Sequence, residues 1–166
     1  DIDLDSVMEQ IRERFGRQAV PLQHPLNHGE GFSEIIDIVK MKLFSYTDGK
    51  TSETDISSAH ETAVQQLREQ LVEAVAESDE ALMEKYFEEG GLDQEELEEG
   101  LRKAVLNLEV FPVLFGDSYN AVGMDLLLDP VVGYFPSPSD APGLPPEVDG
   151  QPQQLKPSSD AELVGL

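Results

Sequence analysis

Two histidines are the first residues whose type and spacing indicate a possible chemistry. His24 and His28 form an H-x-x-x-H pair, a spacing that binds zinc when both imidazoles lie on one face of a helix. Pro25 stands between them and favours a loop over a helix. The sequence also contains no cysteine, which excludes thiolate metal sites and disulfides. We therefore predict no metal site.

The patterns typical of phosphate binding and of catalysis are missing from the sequence. The pattern G-x-x-x-x-G-K-[ST] does not occur, so this chain alone supplies no loop that cradles a triphosphate. Residues 140–143 match D-x-x-G, but they lie in a proline-rich stretch, and we interpret this match as chance. No Ser–His–acid arrangement is visible, and no carboxylate stands out as a general acid. We expect no catalytic residue in this chain.

The charge of the chain is better suited to binding a partner. The formal net charge is −23, a field that repels phosphate backbones and anionic lipids. We therefore expect this segment to bind neither nucleic acid directly nor a membrane. Residues 53–99 hold sixteen acids and two bases, Arg68 and Lys85, so a partner of this stretch has to be basic.

Within this stretch, Glu69, Glu73 and Glu77 recur every four residues and form what we call the acidic row. On a helix, each lies about 200° around the axis from the apolar side. No lysine or arginine stands three or four residues from any of them, and like charges at that spacing repel one another. The row is either an ordinary solvated helix face or a docking face for a basic partner.

A second group of acids, farther along the chain, differs in its sequence neighbours. Glu98 precedes Arg102 by four residues, and Glu99 precedes Lys103 by the same interval. Acid-before-base pairs at this spacing attract each other on a helix. We therefore predict that these two acids are compensated, unlike the acidic row.

The elements that position these residues are predicted from apolar spacing. Side chains recurring every three or four residues predict helices over residues 4–15, 59–77, 79–89, 94–105 and 122–135. Apolar runs predict strands over residues 19–22, 32–46 and 108–115, the last of them buried on both faces. Residues 24–31 are predicted to form a loop, and residues 46–58 a polar, mobile segment.

Individual residues set the ends of the predicted elements. Ser78 is expected to cap the helix over residues 79–89, and Asp93 with Glu96 matches a capping box before the next helix. Pro130 lies inside the last helical pattern and is expected to kink it. Seven of the eleven prolines lie in residues 136–157, which predicts an extended linker, and residues 161–166 are predicted to begin another strand.

Several short segments resemble, in the same order, segments of the elongation factor G family of translational GTPases. Residues 35–42 resemble that family's strand GIID-hydrophobic-x-MKA, and residues 71–77 and 82–86 resemble two of its later segments. The order and approximate spacing of the matches hold across residues 1 to about 142. Further matches are Pro112-Val113 followed by Gly116, and Leu127-Leu128-Asp129 through Tyr134, Pro136, Ser137 and Pro138.

The resemblance implies an α/β fold, the remnant of a P-loop GTPase core that carries an inserted α+β subdomain. Residues 1–16 and 107–135 would belong to the core, as a helix, the last strand and the closing helix. Residues 17–106 would form the insert, and residues 136–166 a proline-rich linker toward a β-barrel domain. The phosphate loop, both switches, the N-K-x-D motif and the catalytic histidine would lie upstream of this chain.

The resemblance also implies a function for the intact protein. Members of the family hydrolyse GTP, with Mg²⁺, on the ribosome during translocation or ribosome recycling; no cofactor is expected for this chain alone. Asp117, Ser118 and Tyr119 would occupy the guanine side of the nucleotide site, and the acidic row would contact the ribosomal stalk protein. The other implied partners are the rest of the ribosome and of the same GTPase. We expect a soluble protein, since no apolar run approaches the roughly 20 residues that span a bilayer, and the resemblance implies a cytoplasmic one.

Two residues depart from the pattern of the family. Asp117 replaces a serine that lies near the guanine-reading aspartate, and two nearby carboxylates repel. Pro130 replaces a helix-forming residue. Both suggest a divergent paralogue. Two alternatives remain: a non-catalytic interaction module, or part of a ribosome-protection GTPase of the tetracycline-resistance type. A phosphate loop and an N-K-x-D motif upstream would favour catalysis.

The first testable prediction concerns this chain by itself. We expect it neither to bind nor to hydrolyse GTP, because it supplies at most one edge of a guanine pocket and no phosphate contacts. Calorimetric titration with GTP and Mg²⁺ is the measurement. A micromolar dissociation constant, equivalent to about −8 kcal/mol, would contradict this expectation.

Overall fold

A computed structural model of the chain describes residues 3–137, 140, 147–148 and 151–152. The five predicted helices all form, with ends one or two residues from the expected positions. They are α1 (Leu4–Phe15), α2 (Ser58–Ala76), α3 (Glu80–Glu89), α4 (Gln94–Leu106) and α5 (Met124–Tyr134).

The helix ends follow local hydrogen bonding, with one correction to the predicted caps. The capping box of Asp93 and Glu96 forms at the start of α4. The cap of α3, however, is Asp79, whose carboxylate accepts hydrogen bonds from the backbone amides of Ala81 and Leu82. The predicted cap, Ser78, instead donates its hydroxyl hydrogen to the carbonyl of Val75. A carboxylate is an equally good cap, and Asp79 stands one residue nearer to the helix.

Two short parallel strands lie beside α1. Strand β1 (Ala19–Pro21) pairs with β6 (Phe111–Val113), and Ala19 is opposite Phe111. The ring of Phe111 meets the ring of Phe15 edge to face, with centroids 6.3 Å apart. The predicted strand over residues 108–115 is therefore too long, and β6 is half-buried where burial on both faces was expected.

The other sheet is antiparallel and contains the main errors of the predicted strands. It consists, in spatial order, of β2 (Gln23–Pro25), β3 (Glu34–Asp37), β4 (Lys42–Thr47) and β5 (Lys50–Asp55). The single strand predicted over residues 32–46 is thus two strands, with Met41 in a left-handed conformation (φ 54°) at the turn.

Both segments flanking that predicted strand also contain strands. Residues 23–25 form β2, where a loop was predicted from residue 24, and the polar segment of residues 46–58 contains β5. Asp48 and Gly49 both have positive φ angles, 52° and 71°, which suit the two-residue turn of a β-hairpin. All six side chains of β5 are exposed, and this strand therefore carries no apolar alternation.

The main core forms where α2 and α4 pack together over β1. Gly100 on α4 allows this close approach, since an added Cβ would lie 2.7 Å from Cγ1 of Val75 on α2. Its fully buried helix side chains are Leu71 and Val75 of α2 with Leu97, Leu101 and Ala104 of α4. A smaller core, Ile35, Phe44, Val122 and Leu126, lies between the antiparallel sheet and α5.

The α/β class predicted for the chain is confirmed, with one parallel and one antiparallel sheet in the unit Asp1–Tyr134. The second unit, Phe135–Leu166, contains strands β7 (Glu147–Val148) and β8 (Gln151–Pro152), which pair antiparallel. Most of the predicted linker and the strand predicted over residues 161–166 lie outside the described residues. Among the residues described, no helix is both long and apolar enough to cross a membrane.

Candidate functional site

The loop between β6 and α5 has a narrow neck fixed by two backbone hydrogen bonds. The amide of Asp117 donates to the carbonyl of Val122 over 2.9 Å, and the amide of Val122 donates back over 3.0 Å. A Cβ at Gly116 would lie 2.6 Å from the methyl group of Met124. At Gly123, where φ is 77°, it would lie 2.8 Å from a backbone oxygen. Gly123 therefore has to be glycine, whereas a side chain at Gly116 would have to displace the end of Met124. These close contacts give the loop a defined shape.

The carboxylate of Asp117 is turned into its own loop. One oxygen accepts the backbone amides of Tyr119 (2.9 Å) and Asn120 (3.3 Å), and the other accepts the side-chain amide of Asn120 (2.6 Å). The bonds from Asn120 and Tyr119 lower the pKa of Asp117 because they stabilise its charged form. Asp117 therefore carries a full negative charge at neutral pH and organises the loop that holds it.

The same loop forms one wall of an open groove of about 450 Å³. Asp117 and Ser118 line it from the loop, and Leu4 lines it from the first turn of α1. The third wall is formed by Pro25, at the end of β2, and by His28 and Phe32 of the loop between β2 and β3. This volume falls within the range of about 300–1,000 Å³ typical of small-ligand sites.

The β2–β3 wall is held in shape by one side chain. Asn27 donates its amide hydrogen to the carbonyl of Gly31 over 2.9 Å. Its oxygen accepts the backbone amides of Ser33 (3.2 Å) and Glu34 (3.1 Å). The groove thus has a wall of fixed shape on this side. The sequence predicted a loop here, but it did not predict that the loop lies beside the groove.

The three residues predicted for the guanine side do not all lie in the groove. Asp117 and Ser118 line it, whereas Tyr119 is 94% exposed and is not among its lining residues. His28 also lines the groove, while His24 lies half-buried in β2. Burial, followed by the nearby His60 and His28, lowers the pKa of His24. Within the described part of the chain, no group of three histidine or acidic side chains is placed to hold a metal ion.

Gln23, which sequence reasoning missed, connects this loop to α5. Its side chain is 2% exposed. The amide oxygen accepts the backbone amide of Phe115, just before the loop, and the amide nitrogen donates to the carbonyl of Leu126, both over 2.9 Å. Pro130 lies four residues after Leu126 and has no backbone hydrogen to give to that carbonyl, so Gln23 supplies the missing donor. Helix α5 continues through Pro130 to Tyr134.

The acidic row lies on the solvent-facing side of α2. Glu69, Glu73 and Glu77 are all exposed, while Leu71 and Val75 on the opposite side are fully buried. Among the described residues, none of the three acids forms an ion pair. Among the side-chain hydrogen bonds of the described residues, one reaches the row: the hydroxyl group of Tyr86 donates to Glu73 over 3.1 Å. The row therefore has the exposure that the sequence predicted.

The two bases among residues 53–99 bond to groups outside the acidic row. Arg68 donates to the backbone carbonyls of Ile38 and Val39 and to the side chain of Gln94. Lys85 pairs with Glu96 on α4 and lies 4.0 Å from Glu89. Both cations thus tie elements of the fold together, and neither neutralises the acidic row.

The predicted compensation of Glu98 and Glu99 is wrong. Glu98 accepts a hydrogen bond of 2.6 Å from Gln94, and Arg102 donates to the carbonyl of Gly133 over 2.6 Å. Arg102 lies on the side of α4 that faces α5, and the last carbonyls of a helix attract a cation. Neither Glu98–Arg102 nor Glu99–Lys103 is among the ion pairs of the described residues.

The chain is similar to part of a longer protein of known structure, although no family model matches it. It is similar to the crystal structure of ttk003000868 from Thermus thermophilus, with 29% identical residues and a TM-score of 0.75. The match covers 84% of this chain and 21% of the other. The chain thus spans about a fifth of the length of that relative, and the α/β fold described here occurs within a longer protein.

The bridge made by Gln23 can be tested by replacing it with methionine. Gln23→Met keeps the volume but leaves the amide of Phe115 and the carbonyl of Leu126 buried without partners, each costing about 1–3 kcal/mol. We expect a loss of about 2–4 kcal/mol in the free energy of unfolding, measured with urea. Gln10→Met, at an exposed position of α1, is the control and should change stability by less than about 0.5 kcal/mol. Equal effects of the two would contradict the bridging role.

Proposed function

We propose that this chain is the insert and closing segment of the nucleotide-binding domain of a ribosome-associated GTPase of the elongation factor G type. It would act in translocation or ribosome recycling. The observation that carries this proposal is the groove between α1 and the loop after β6. The resemblance in sequence implies that two segments far apart in the chain, the start of α1 and the loop after β6, flank one guanine base. Both segments line this one groove.

The first of these segments is the start of α1. In the family, the N-K-x-D motif directly precedes this helix, and its aspartate reads the guanine base. Leu4, in the first turn of α1, lines the groove. An aspartate upstream of it would therefore enter the site from this end.

The second segment is the loop that follows β6. Ser118 is exposed and lines the groove, and the resemblance implies that its backbone amide contacts a guanine oxygen. Asp117 replaces the serine of the family and holds the loop by accepting amides within it. In this proposal Asp117 shapes the guanine side of the pocket, while phosphate contacts, Mg²⁺ and the catalytic histidine come from upstream residues.

The acidic row would dock the ribosomal stalk protein. Three exposed carboxylates repel one another along α2, and a basic partner removes that repulsion while adding attraction. The only cations of residues 53–99 are Arg68 and Lys85, and both are bonded to other groups. This contrast between exposed acids and internally used cations favours docking over a merely solvated face.

Charge reversal of the acidic row tests this proposal. In the full-length protein, the variant with Glu69→Lys, Glu73→Lys and Glu77→Lys should lower ribosome-stimulated GTP turnover about tenfold at low salt, because charge steering acts on association rates. The difference should shrink as salt screens the charges. Turnover measured across ionic strengths gives both results.

The matched control reverses three exposed acids on other elements, Glu9, Glu13 and Glu53. It changes the net charge by the same amount and should lower turnover far less. If the acidic-row variant turns over GTP like the parent at low salt, the row is a solvated face. If the control falls equally, only net charge matters and the docking assignment is wrong.

A further inference from the structure

The apolar side of α3 is only partly covered. Helical spacing in the sequence places Leu82, Met83, Tyr86 and Phe87 on this side, and none of the four is fully buried. Leu82 and Tyr86 pack against the main core, whereas Met83 and Phe87 belong to neither core cluster. Phe87 is 77% exposed, so its ring is the uncovered part of this apolar side.

The exposed ring of Phe87 is held in place. Tyr86 and Phe87 meet edge to face, with ring centroids 5.9 Å apart and an interplanar angle of 65°. The hydroxyl group of Tyr86 donates to Glu73 of the acidic row over 3.1 Å. Aromatic pairs of this geometry are favourable, and an aromatic side chain that is already positioned loses little conformational freedom when a partner covers it. The exposed phenyl ring is thus linked through Tyr86 to Glu73 of the acidic row.

Carboxylates surround this apolar surface. Glu73 contacts Tyr86, Glu69 lies close enough to raise the pKa of Tyr86 further, and Glu84 and Glu88 are exposed beside Phe87 on α3. A second copy of this chain would bring the same carboxylates and a net charge of −23, so self-association is disfavoured. Phosphate backbones and anionic membranes are repelled for the same reason.

We infer that Phe87, supported by Met83, is the apolar anchor of the docking surface, and that the partner presents a basic amphipathic helix. Lysine or arginine side chains of that helix would meet the acidic row, and its apolar side would cover the phenyl ring. Interfaces of this kind concentrate their affinity in a few buried aromatic residues within a polar rim. The inference rests on the docking role proposed above and adds to it the chemistry of the partner.

Binding kinetics separate the anchor from the charges. With the full-length protein and the purified C-terminal domain of the ribosomal stalk protein, Phe87→Ser should raise the dissociation constant about tenfold. The increase should come from faster dissociation, with little change in the salt dependence of association. Phe87→Leu keeps an apolar contact and should retain most of the affinity. The charge-reversed acidic row should instead slow association and weaken its salt dependence.

Val132→Ser is the matched control, because Val132 is 82% exposed and lies on a different helix, α5. It should leave both rate constants unchanged. If Phe87→Ser dissociates like the parent while the charge-reversed row binds more slowly, the anchor is wrong and the docking role stands. If neither variant changes binding, both the anchor and the docking role are wrong. A Phe87→Ser variant that melts earlier but binds normally also overturns the anchor, since its role would be internal packing.

Discussion

The side chain of Gln23 bonds to two segments that lie far away in the sequence, and the candidate groove depends on this bridge. One end of its amide group holds the backbone just before the loop at Gly116, and the other end holds the carbonyl of Leu126 in α5. An amide is well suited to this position because it both donates and accepts. A hydrophobic residue would leave two buried polar groups unsatisfied. Pro130 would be expected to break helix α5. It is accommodated because Gln23 of strand β2 supplies the missing donor to the carbonyl of Leu126.

The antiparallel sheet is attached to α5 mainly by apolar contact. Tyr46 and Thr51 donate to Asp125 over 2.5 and 3.1 Å, and Lys40 pairs with Asp129 over 3.0 Å. These groups lie near solvent, where such a pair contributes about 0–1 kcal/mol. Burial of an apolar side chain contributes about 1.5–3 kcal/mol, and the small core around Leu126 buries four. The polar contacts therefore fix the orientation of the sheet, and the apolar cluster supplies most of its attachment.

The helices followed from the sequence because their apolar spacing and capping residues are local signals, as the box of Asp93 and Glu96 illustrates. Strand β5 was not predicted, because its six side chains are all exposed and show no apolar alternation. The dipeptide Asp48-Gly49, which favours a hairpin turn, was the signal that could have found it. The loop residues Asp117 and Ser118 came from a sequence resemblance. The bridge made by Gln23 and the exposure of Phe87 were not predicted, because periodicity alone marks neither a buried amide nor an uncovered helix face.

The loop after β6 is proposed to contact a guanine base, and the proposed role of the groove in nucleotide binding depends on that contact. A direct measurement uses the full-length protein with 6-thioguanosine triphosphate, in which a photoreactive sulfur replaces the oxygen that the amide of Ser118 is proposed to contact. After irradiation, mass spectrometry locates the crosslinked peptide. We predict a crosslink within residues 116–120 that excess GTP abolishes. A GTP-sensitive crosslink found only in other segments, or none at all, would contradict this proposal.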